Sequence, residues 1–167
     1  MLVAARTAPK ARGRDNLILA TIDGDTIGLV SEQLKKKHQI MQEDFLFRDA
    51  ENILSATCIV LLGTKNVPLG LNCGYCGLPT CADKIKKNPK FPCIFNTHDL
   101  GIAVGSAVTT ASLYHIDNRV MYSVGAAAME LGLLGKECVC AMGIPLSAYG
   151  KNPFFDRPNP YTIPPEK

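Results

Sequence analysis

Apolar residues near the start of the chain form one continuous run and then recur at helical spacing. The run Leu17-Ile18-Leu19-Ala20-Thr21-Ile22 ends in an Asp-Gly-Asp turn at 23–25, which predicts a strand closed by a turn. Over residues 26–42 the apolar positions Ile27, Val30 and Leu34 share one helix face, and charged residues occupy the other. The first 42 residues therefore predict a strand that leads into an amphipathic helix.

The rest of the chain alternates between further apolar runs and helical patterns. The predicted elements are a short helix at 48–54, a buried strand at 57–62, a long loop at 63–97, helices at 100–114 and 118–133, and a strand at 138–142. Asp99 and Asp117 stand where N-caps of the two later helices are expected. These elements predict an α/β or α+β fold with helices packed on a sheet, in a single domain at 1–157 with a Pro-rich tail at 158–167.

Composition narrows the class of protein. The 167 residues are 47% hydrophobic and 20% charged, which is an ordinary globular mixture, and the net charge of +3 is too mild to indicate nucleic-acid binding. No apolar run reaches the roughly 18 residues of a membrane span, and no signal peptide is recognisable. We therefore expect a cytoplasmic protein that binds neither membranes nor nucleic acid, in a compartment where thiols stay reduced.

Cysteine spacing carries the strongest chemical signal. Four of the seven cysteines, Cys73, Cys76, Cys81 and Cys93, form a C-x2-C-x4-C series followed by a fourth cysteine after eleven residues. Four soft thiolates suit an iron–sulfur cluster or a zinc ion. Three close ligands and one remote ligand favour a 4Fe–4S cluster, because structural zinc more often uses two separated C-x2-C pairs.

Two alternatives to this assignment stay open. A zinc ion at the same four cysteines would make the chain a non-catalytic, metal-stabilised binding or sensor module, because zinc has no redox chemistry. His98 could replace Cys93 as the fourth ligand, although a lone histidine beside a helix start is more often a surface or capping residue.

The remaining cysteines fit the core better than a metal site. Cys58 lies in the predicted strand at 57–62, where a free cysteine behaves as a small apolar residue. Cys138 and Cys140 are two residues apart in the last predicted strand, which predicts that both side chains point to one face. They could form a redox pair or hold a second metal, but two core positions explain them more simply.

Several segments of the chain resemble known families. The cysteine segment from Cys73 to Cys81 resembles the four-cysteine iron–sulfur segment of electron-transport complexes and corrinoid iron–sulfur proteins. The wider chain resembles an uncharacterised prokaryotic family described as containing a ferredoxin domain. That likeness rests on residues 5–10, 47–51, 73–77, 99–103, 117–121, 143–147 and 155–157. It implies a redox protein with an iron–sulfur cluster, without naming a reaction.

A more remote likeness is to the nitroreductase superfamily of FMN proteins. In that superfamily an Arg and a Lys four residues apart hold the FMN phosphate, as Arg6 and Lys10 are spaced here, and a late strand ends in a Gly-x-Pro turn, as at 143–145. Lys151 and Arg157 lie in the region of the basic tail that returns to the phosphate. The resemblance implies a nitroreductase-like α+β fold, a mixed sheet flanked by helices with the long cysteine loop inserted, and FMN held by these four basic residues. For Arg6 and Lys10, a solvated helix face is the competing interpretation.

The same likeness implies an assembly and a set of partners. Nitroreductase-like proteins place flavin between two subunits, so the resemblance implies a homodimer, and the small residues of the helix at 100–114 would suit close packing there. The chain would then be a flavin-linked oxidoreductase. It would exchange electrons with a redox partner protein or a small-molecule acceptor.

Overall fold

The computed structural model of the protein describes residues 1–155, so Arg157 and the tail at 158–167 lie outside the described residues. The helices are α1 Leu2–Thr7, α2 Gly24–Met41, α3 Asp44–Ile53, α4 Cys81–Lys87, α5 Ile94–Leu113 and α6 Tyr122–Glu130. The strands are β1 Leu17–Asp23, β2 Cys58–Lys65, β3 Asp117–Asn118 and β4 Cys138–Ser147. A 3-10 turn, Ala11–Gly13, joins α1 to β1. No helix within residues 1–155 has the length and apolar character needed to cross a membrane.

The four strands form one sheet in the order β1-β2-β4-β3, and each pair of neighbours is antiparallel. The expected mixed sheet is therefore wrong. The reason lies in the connection between β1 and β2, which contains two helices, α2 and α3, rather than one. A single crossover helix returns the chain for a parallel strand, whereas two successive helices reverse its direction once more.

Helices cover both faces of the sheet, as the sequence predicts. Ile59 and Leu61 of β2 join a core with residues of α2, α3 and α6. Val60 and Leu62 alternate with them and join a second core with residues of α1 and α5. The continuous apolar run of β2 is thus explained by burial on both sides.

Helix α6 crosses β4 at unusually short range. A Cβ atom added to Gly125 would lie 2.1 Å from the carbonyl oxygen of Ala141, and one added to Gly143 would lie 2.3 Å from Cγ1 of Val124. Only glycine fits at these two positions. This contact packs α6 directly against β4 on the side of the sheet that carries α2, α3 and α6.

A register shift between Thr64 and Lys65 of β2 separates two cysteines of β4. Thr64 pairs with Cys140, but Lys65 pairs with Cys138, so one extra residue is accommodated in β4. Cys138 therefore packs into the core with α6, and Cys140 packs into the core with α1 and α5. The prediction that both side chains share one face is wrong, because the bulge breaks the two-residue period.

Both predicted aspartate caps are also wrong. Asp99 lies in the second turn of α5, which begins at Ile94, and its Oδ1 accepts a 3.0 Å hydrogen bond from the backbone N–H of Ala11. Asp117 belongs to β3 and pairs with Ser147, while α6 begins at Tyr122. A tertiary hydrogen bond fixes Asp99 and strand pairing fixes Asp117, so neither residue caps a helix.

Candidate metal centre

The first two cysteines of the cysteine segment lie on an exposed turn between β2 and α4. Cys73 and Cys76 are both exposed. Gly74 and Gly77 have φ angles of +73° and +79°, and the N–H of Gly77 donates to the carbonyl of Gly74 at 2.9 Å. Positive φ at these two glycines lets the chain fold tightly between and after the two thiols.

The third cysteine begins a helix that has its own cap. Thr80 Oγ1 accepts from the N–H of Asp83 at 3.0 Å and donates to Oδ2 of the same residue at 2.7 Å. The N–H of Cys81 donates to Oδ1 of Asn72 at 2.8 Å. These bonds hold the start of α4 against the turn that carries Cys73, so the predicted loop at 63–97 contains a short helix.

The fourth cysteine is buried and immediately precedes α5. Cys93 is 9% exposed, and its carbonyl accepts from the N–H of Asn96 at 2.9 Å. The start of the twenty-residue helix α5 thus fixes the position of this thiol.

All four cysteines line one narrow cleft. Its other lining residues are Pro68, Asn72, Gly74, Leu78, Thr80, Lys84 and Ile94. The cleft shares Cys76, Leu78, Lys84 and Ile94 with a neighbouring cleft of about 380 Å³. All seven cysteines are free thiols. Across residues 1–155, no three His, Cys, Asp or Glu side chains converge closely enough to hold a single metal ion.

The other three cysteines have a different character. Burial raises the pKa of the thiols of Cys58, Cys138 and Cys140, so each favours the neutral form that metals do not bind. All three belong to strands of the sheet rather than to the cleft. A role in the core, rather than in metal binding, fits this environment.

His98 lies beside the cleft but is not one of its lining residues. Its exposed ring meets Phe95 edge-on at 6.0 Å, and Phe95 also stacks on Tyr75 at 6.1 Å. Cys93, by contrast, lines the cleft. The packing gives His98 an aromatic partner without bringing it among the four thiols.

The two N-terminal basic residues lie close together at the end of α1. Arg6 Nη1 donates to Oδ2 of Asp15 at 2.7 Å and to the carbonyl of Leu17 at 3.0 Å. Burial raises the pKa of Asp15, but the hydrogen bonds from Arg6 and the backbone N–H of Leu17, together with the charges of Arg6 and Lys10, outweigh it and the pKa of this carboxyl is lowered. Lys10 Nζ donates to the carbonyls of Arg6 and Ala8. A phosphate bound here would therefore compete with Asp15 for Arg6.

The other two basic residues of the flavin prediction lie later in the chain. Lys151 is exposed in the segment that follows β4. Arg157 lies outside the described residues. The four residues therefore stay a prediction, of which the structure places Arg6 and Lys10 next to each other.

A polar cluster lies between α3 and α6. Ser123 Oγ donates to Oδ2 of Asp49 at 2.6 Å, and both residues are buried. Arg48 donates from Nε and Nη2 to Oδ1 of Asp49, at 3.1 Å and 2.8 Å. The cluster borders a cleft lined also by Phe45 and Arg119, and its hydrogen bonds join α3 to α6.

Sequence reasoning missed Lys84, which lines the cysteine cleft, and its hydrogen-bond partner Asn66. Lys84 is 3% exposed and lines the cysteine cleft, and its Nζ donates to Oδ1 of Asn66 at 2.7 Å. The available signal was the Thr80-x-x-Asp83 pattern, which is typical of a helix start and would have placed Lys84 one turn after Cys81. Asn66 carried no comparable signal.

Comparison with known proteins places the chain in a family. An uncharacterized protein from Archaeoglobus fulgidus is 40% identical over 164 residues, which cover 94% of this chain and 88% of that protein. Residues 90–157 match the family described as "Uncharacterized protein containing a ferredoxin domain (DUF2148)". The chain belongs to this ferredoxin-domain family. The match to the family's sequence pattern includes Cys93 and begins after Cys73, Cys76 and Cys81.

Solved structures show that this member of the ferredoxin-domain family has a nitroreductase-like fold. A BluB-like flavoprotein from Clostridium difficile 630 superposes with a TM-score of 0.63 at 18% identity, over 98% of this chain and 82% of that one. Nitroreductase CinD from Lactococcus lactis superposes with a TM-score of 0.60 at 15% identity, over 89% of this chain and 75% of that one. At these identities the likeness concerns the fold alone.

Proposed function

We propose that this protein is an electron-transfer protein that holds one 4Fe–4S cluster on Cys73, Cys76, Cys81 and Cys93. The observation that carries the proposal is the common cleft lined by all four thiols. Two of them are exposed on a glycine-containing turn and two are positioned by helix starts, so the ligands can close around a bound group from several sides. When bound, the cluster supplies storage for one electron near the protein surface.

The spacing of the four cysteines along the chain, three close together and one remote, favours a cluster over zinc. Four thiolates around one zinc ion at bonds of about 2.3 Å must lie about 3.8 Å from one another, which is a compact arrangement. A cubane instead spreads its four ligands over four irons, and here an exposed turn and two separate helix starts supply the thiols that line one cleft. Zinc, with a binding or sensor role, is the alternative that the experiment below separates.

Flavin is a second part of the proposal, and the fold supports it. A nitroreductase-like architecture and the adjacent Arg6 and Lys10 favour an FMN phosphate at the end of α1, with Lys151 and Arg157 as further candidates. The residues fit an anion in charge, provided that Arg6 exchanges its bond to Asp15. A chain that held both groups would be a flavin-linked oxidoreductase, with a redox partner protein or a small-molecule acceptor.

A homodimer belongs to the same proposal. One face of α5 exposes Gly101, Gly105, Thr109 and Leu113, each four residues after the last, and residues 100–114 contain no charged side chain. Ile102 and Leu113 are 46% and 74% exposed beside these small residues. A second copy of the chain could approach this face closely without desolvating a charge.

The test is a composition measurement on one anaerobically purified sample. Iron, acid-labile sulfide, zinc and flavin are assayed together, and the visible spectrum is recorded. We expect about four iron and four sulfide per chain, as a cubane with four cysteine ligands requires. One zinc per chain without sulfide would overturn the electron-transfer proposal and leave a metal-stabilised binding module. Bound FMN in the same sample would extend the proposal to a flavin-linked oxidoreductase.

A further inference from the structure

Lys84 is the only lysine or arginine in residues 1–155 that is buried. It is 3% exposed and lies in α4, whose neighbouring Lys86 and Lys87 are exposed. Lysine is almost never fully buried unless its charge has a partner. The position of this side chain therefore needs an electrostatic explanation.

The hydrogen bond that Lys84 makes does not balance its charge. Nζ donates to Oδ1 of Asn66 at 2.7 Å, and Nδ2 of Asn66 donates in turn to the carbonyl of Pro89 at 2.7 Å. The amide orients the ammonium but is neutral. No carboxylate among the described residues forms a salt bridge with Lys84. Burial of an ammonium without a counter-ion is costly.

The missing negative charge is expected in the cleft that Lys84 lines. Lys84 follows Cys81 by three residues, which places the two side chains on one face of α4, and it lines the cleft together with all four cysteines. Thiolates outweigh the positive charge of the metal core that they bind, so the ligated site is an anion. An ammonium buried at the lining of the same cleft stabilises that anion, because burial of Lys84 leaves its charge less screened than in bulk water.

We propose that Lys84 is the counter-ion of the metal–thiolate group and raises its reduction potential, an inference that rests on the proposed function. Reduction adds one electron, supplied by the external reductant, and moves no proton, so the site becomes more negative. A fixed neighbouring cation favours the more negative state. Asn66 is a positioning residue that holds the ammonium toward the cleft.

The experiment is a dye-mediated redox titration of the anaerobically purified full chain, with dithionite as reductant. Lys84→Met keeps the length of the side chain and removes its charge, Lys84→Arg keeps the charge, and Lys86→Met is the matched control on the exposed face of α4. We expect Lys84→Met to lower the equilibrium constant for reduction at least tenfold. That corresponds to a decrease of about 59 mV in the potential of a one-electron couple at 25 °C. Lys84→Arg and Lys86→Met should stay close to the wild type. A wild-type potential in Lys84→Met, with full iron and sulfide, would overturn the proposal.

Two further outcomes are also decisive. If Lys84→Met does not retain iron, Lys84→Gln is compared with Lys84→Arg. Iron retained only by Lys84→Arg supports the counter-ion role. Iron retained by Lys84→Gln at the wild-type potential overturns it. If the wild type holds zinc and no sulfide, the cluster proposal fails separately. Zinc release to a chelator then tests Lys84, where tenfold faster release from Lys84→Met supports the counter-ion role and equal release overturns it.

Discussion

The hydroxyl of Ser123 donates a 2.6 Å hydrogen bond to Oδ2 of Asp49, and both residues are buried between α6 and α3. The Ser123→Ala variant leaves that carboxylate oxygen without its partner. We expect a loss of about 1–3 kcal/mol in the free energy of unfolding, measured by urea denaturation. Ser112→Ala is the control, because this exposed hydroxyl only bonds the Val108 carbonyl of its own helix. Equal losses in the two variants would contradict the assignment.

The close crossing of α6 over β4 predicts opposite effects for two glycine substitutions. Gly125→Ala would place a methyl group 2.1 Å from the carbonyl oxygen of Ala141, and we expect it to destabilise the protein by about 1–3 kcal/mol or more. Gly28→Ala, in α2 with nothing within 4 Å of the added Cβ, should instead stabilise by about 0.5–1 kcal/mol. Thermal or urea unfolding of both variants measures the difference. A neutral Gly125→Ala would show that the helix can move away from the strand.

The proposed ligands predict a sharp contrast between two cysteine variants. Cys76→Ser should abolish iron and sulfide binding, because it removes one of the four thiolates that line the cleft. Cys58→Ser should leave both contents nearly unchanged, because burial raises the pKa of that thiol and it lies at the start of β2. Iron and sulfide assays on anaerobic samples provide the measurement. Full iron and sulfide in Cys76→Ser would remove this residue from the ligand set.

Acid should weaken one contact between α2 and α6. Glu130 accepts from Lys37 Nζ, and at 2.9 Å from Gln33 Nε2. Burial raises the pKa of Glu130, but these two hydrogen bonds and the charge of Lys37 together outweigh it and lower the pKa from the ordinary 4.5. Because the folded pKa is depressed, the carboxylate stabilises the fold above about pH 4.5, and this contribution is lost as the pH falls through the folded value.

The measurement is urea unfolding between pH 7 and pH 3. The difference in stability between the wild type and Glu130→Gln should be present at neutral pH and should disappear in acid. Lys37→Met should shrink that difference, since it removes the main cationic partner. A difference that stays constant across the pH range would indicate that the glutamate acts through packing alone.

The exposed face of α5 predicts how the oligomeric state responds to charge. Gly105→Arg places a charged side chain in the middle of the face formed by Gly101, Thr109 and Leu113, so we expect it to yield monomers near 18.0 kDa where the wild type sediments as a dimer. Ile40→Arg is the control, because Ile40 is 82% exposed at the end of α2, on the other side of the sheet. Sedimentation analysis distinguishes the two masses. A monomeric wild type would contradict the dimer proposal.

Sequence periodicity predicted the elements whose buried residues form a clear apolar run or a helical stripe in their own segment. The apolar runs at 17–22 and 57–62 correspond to β1 and β2, and the helical spacing after residue 26 corresponds to α2. The antiparallel β1–β2 pairing was missed although both helices of that connection, at 26–42 and 48–54, were predicted, because the direction follows from the number of connecting helices and not from any strand residue. The bulge opposite Lys65 was missed for a different reason, since an extra residue in a pairing register leaves no mark in one strand's own sequence.

The sequence predicted the cysteines of the candidate site but not the residues that pack beside them. The four clustered cysteines were recognisable from spacing, and the structure brings them to one cleft. Asn66 and Lys84 come from segments 18 residues apart, and their hydrogen bond exists only once α4 is folded. A lysine in a helix rich in lysine reads as a surface residue, so only its three-dimensional neighbours distinguish Lys84 from Lys86.

Cys81 opens α4 and Cys93 directly precedes α5, and this arrangement has a consequence for the lifetime of the chain. A group bound by both thiols would tie two helix starts together, so the free energy of binding would also be free energy of folding for the segment between them. If the proposed cluster binds there, limited proteolysis should cut residues 82–92 faster after the cluster has been removed than before.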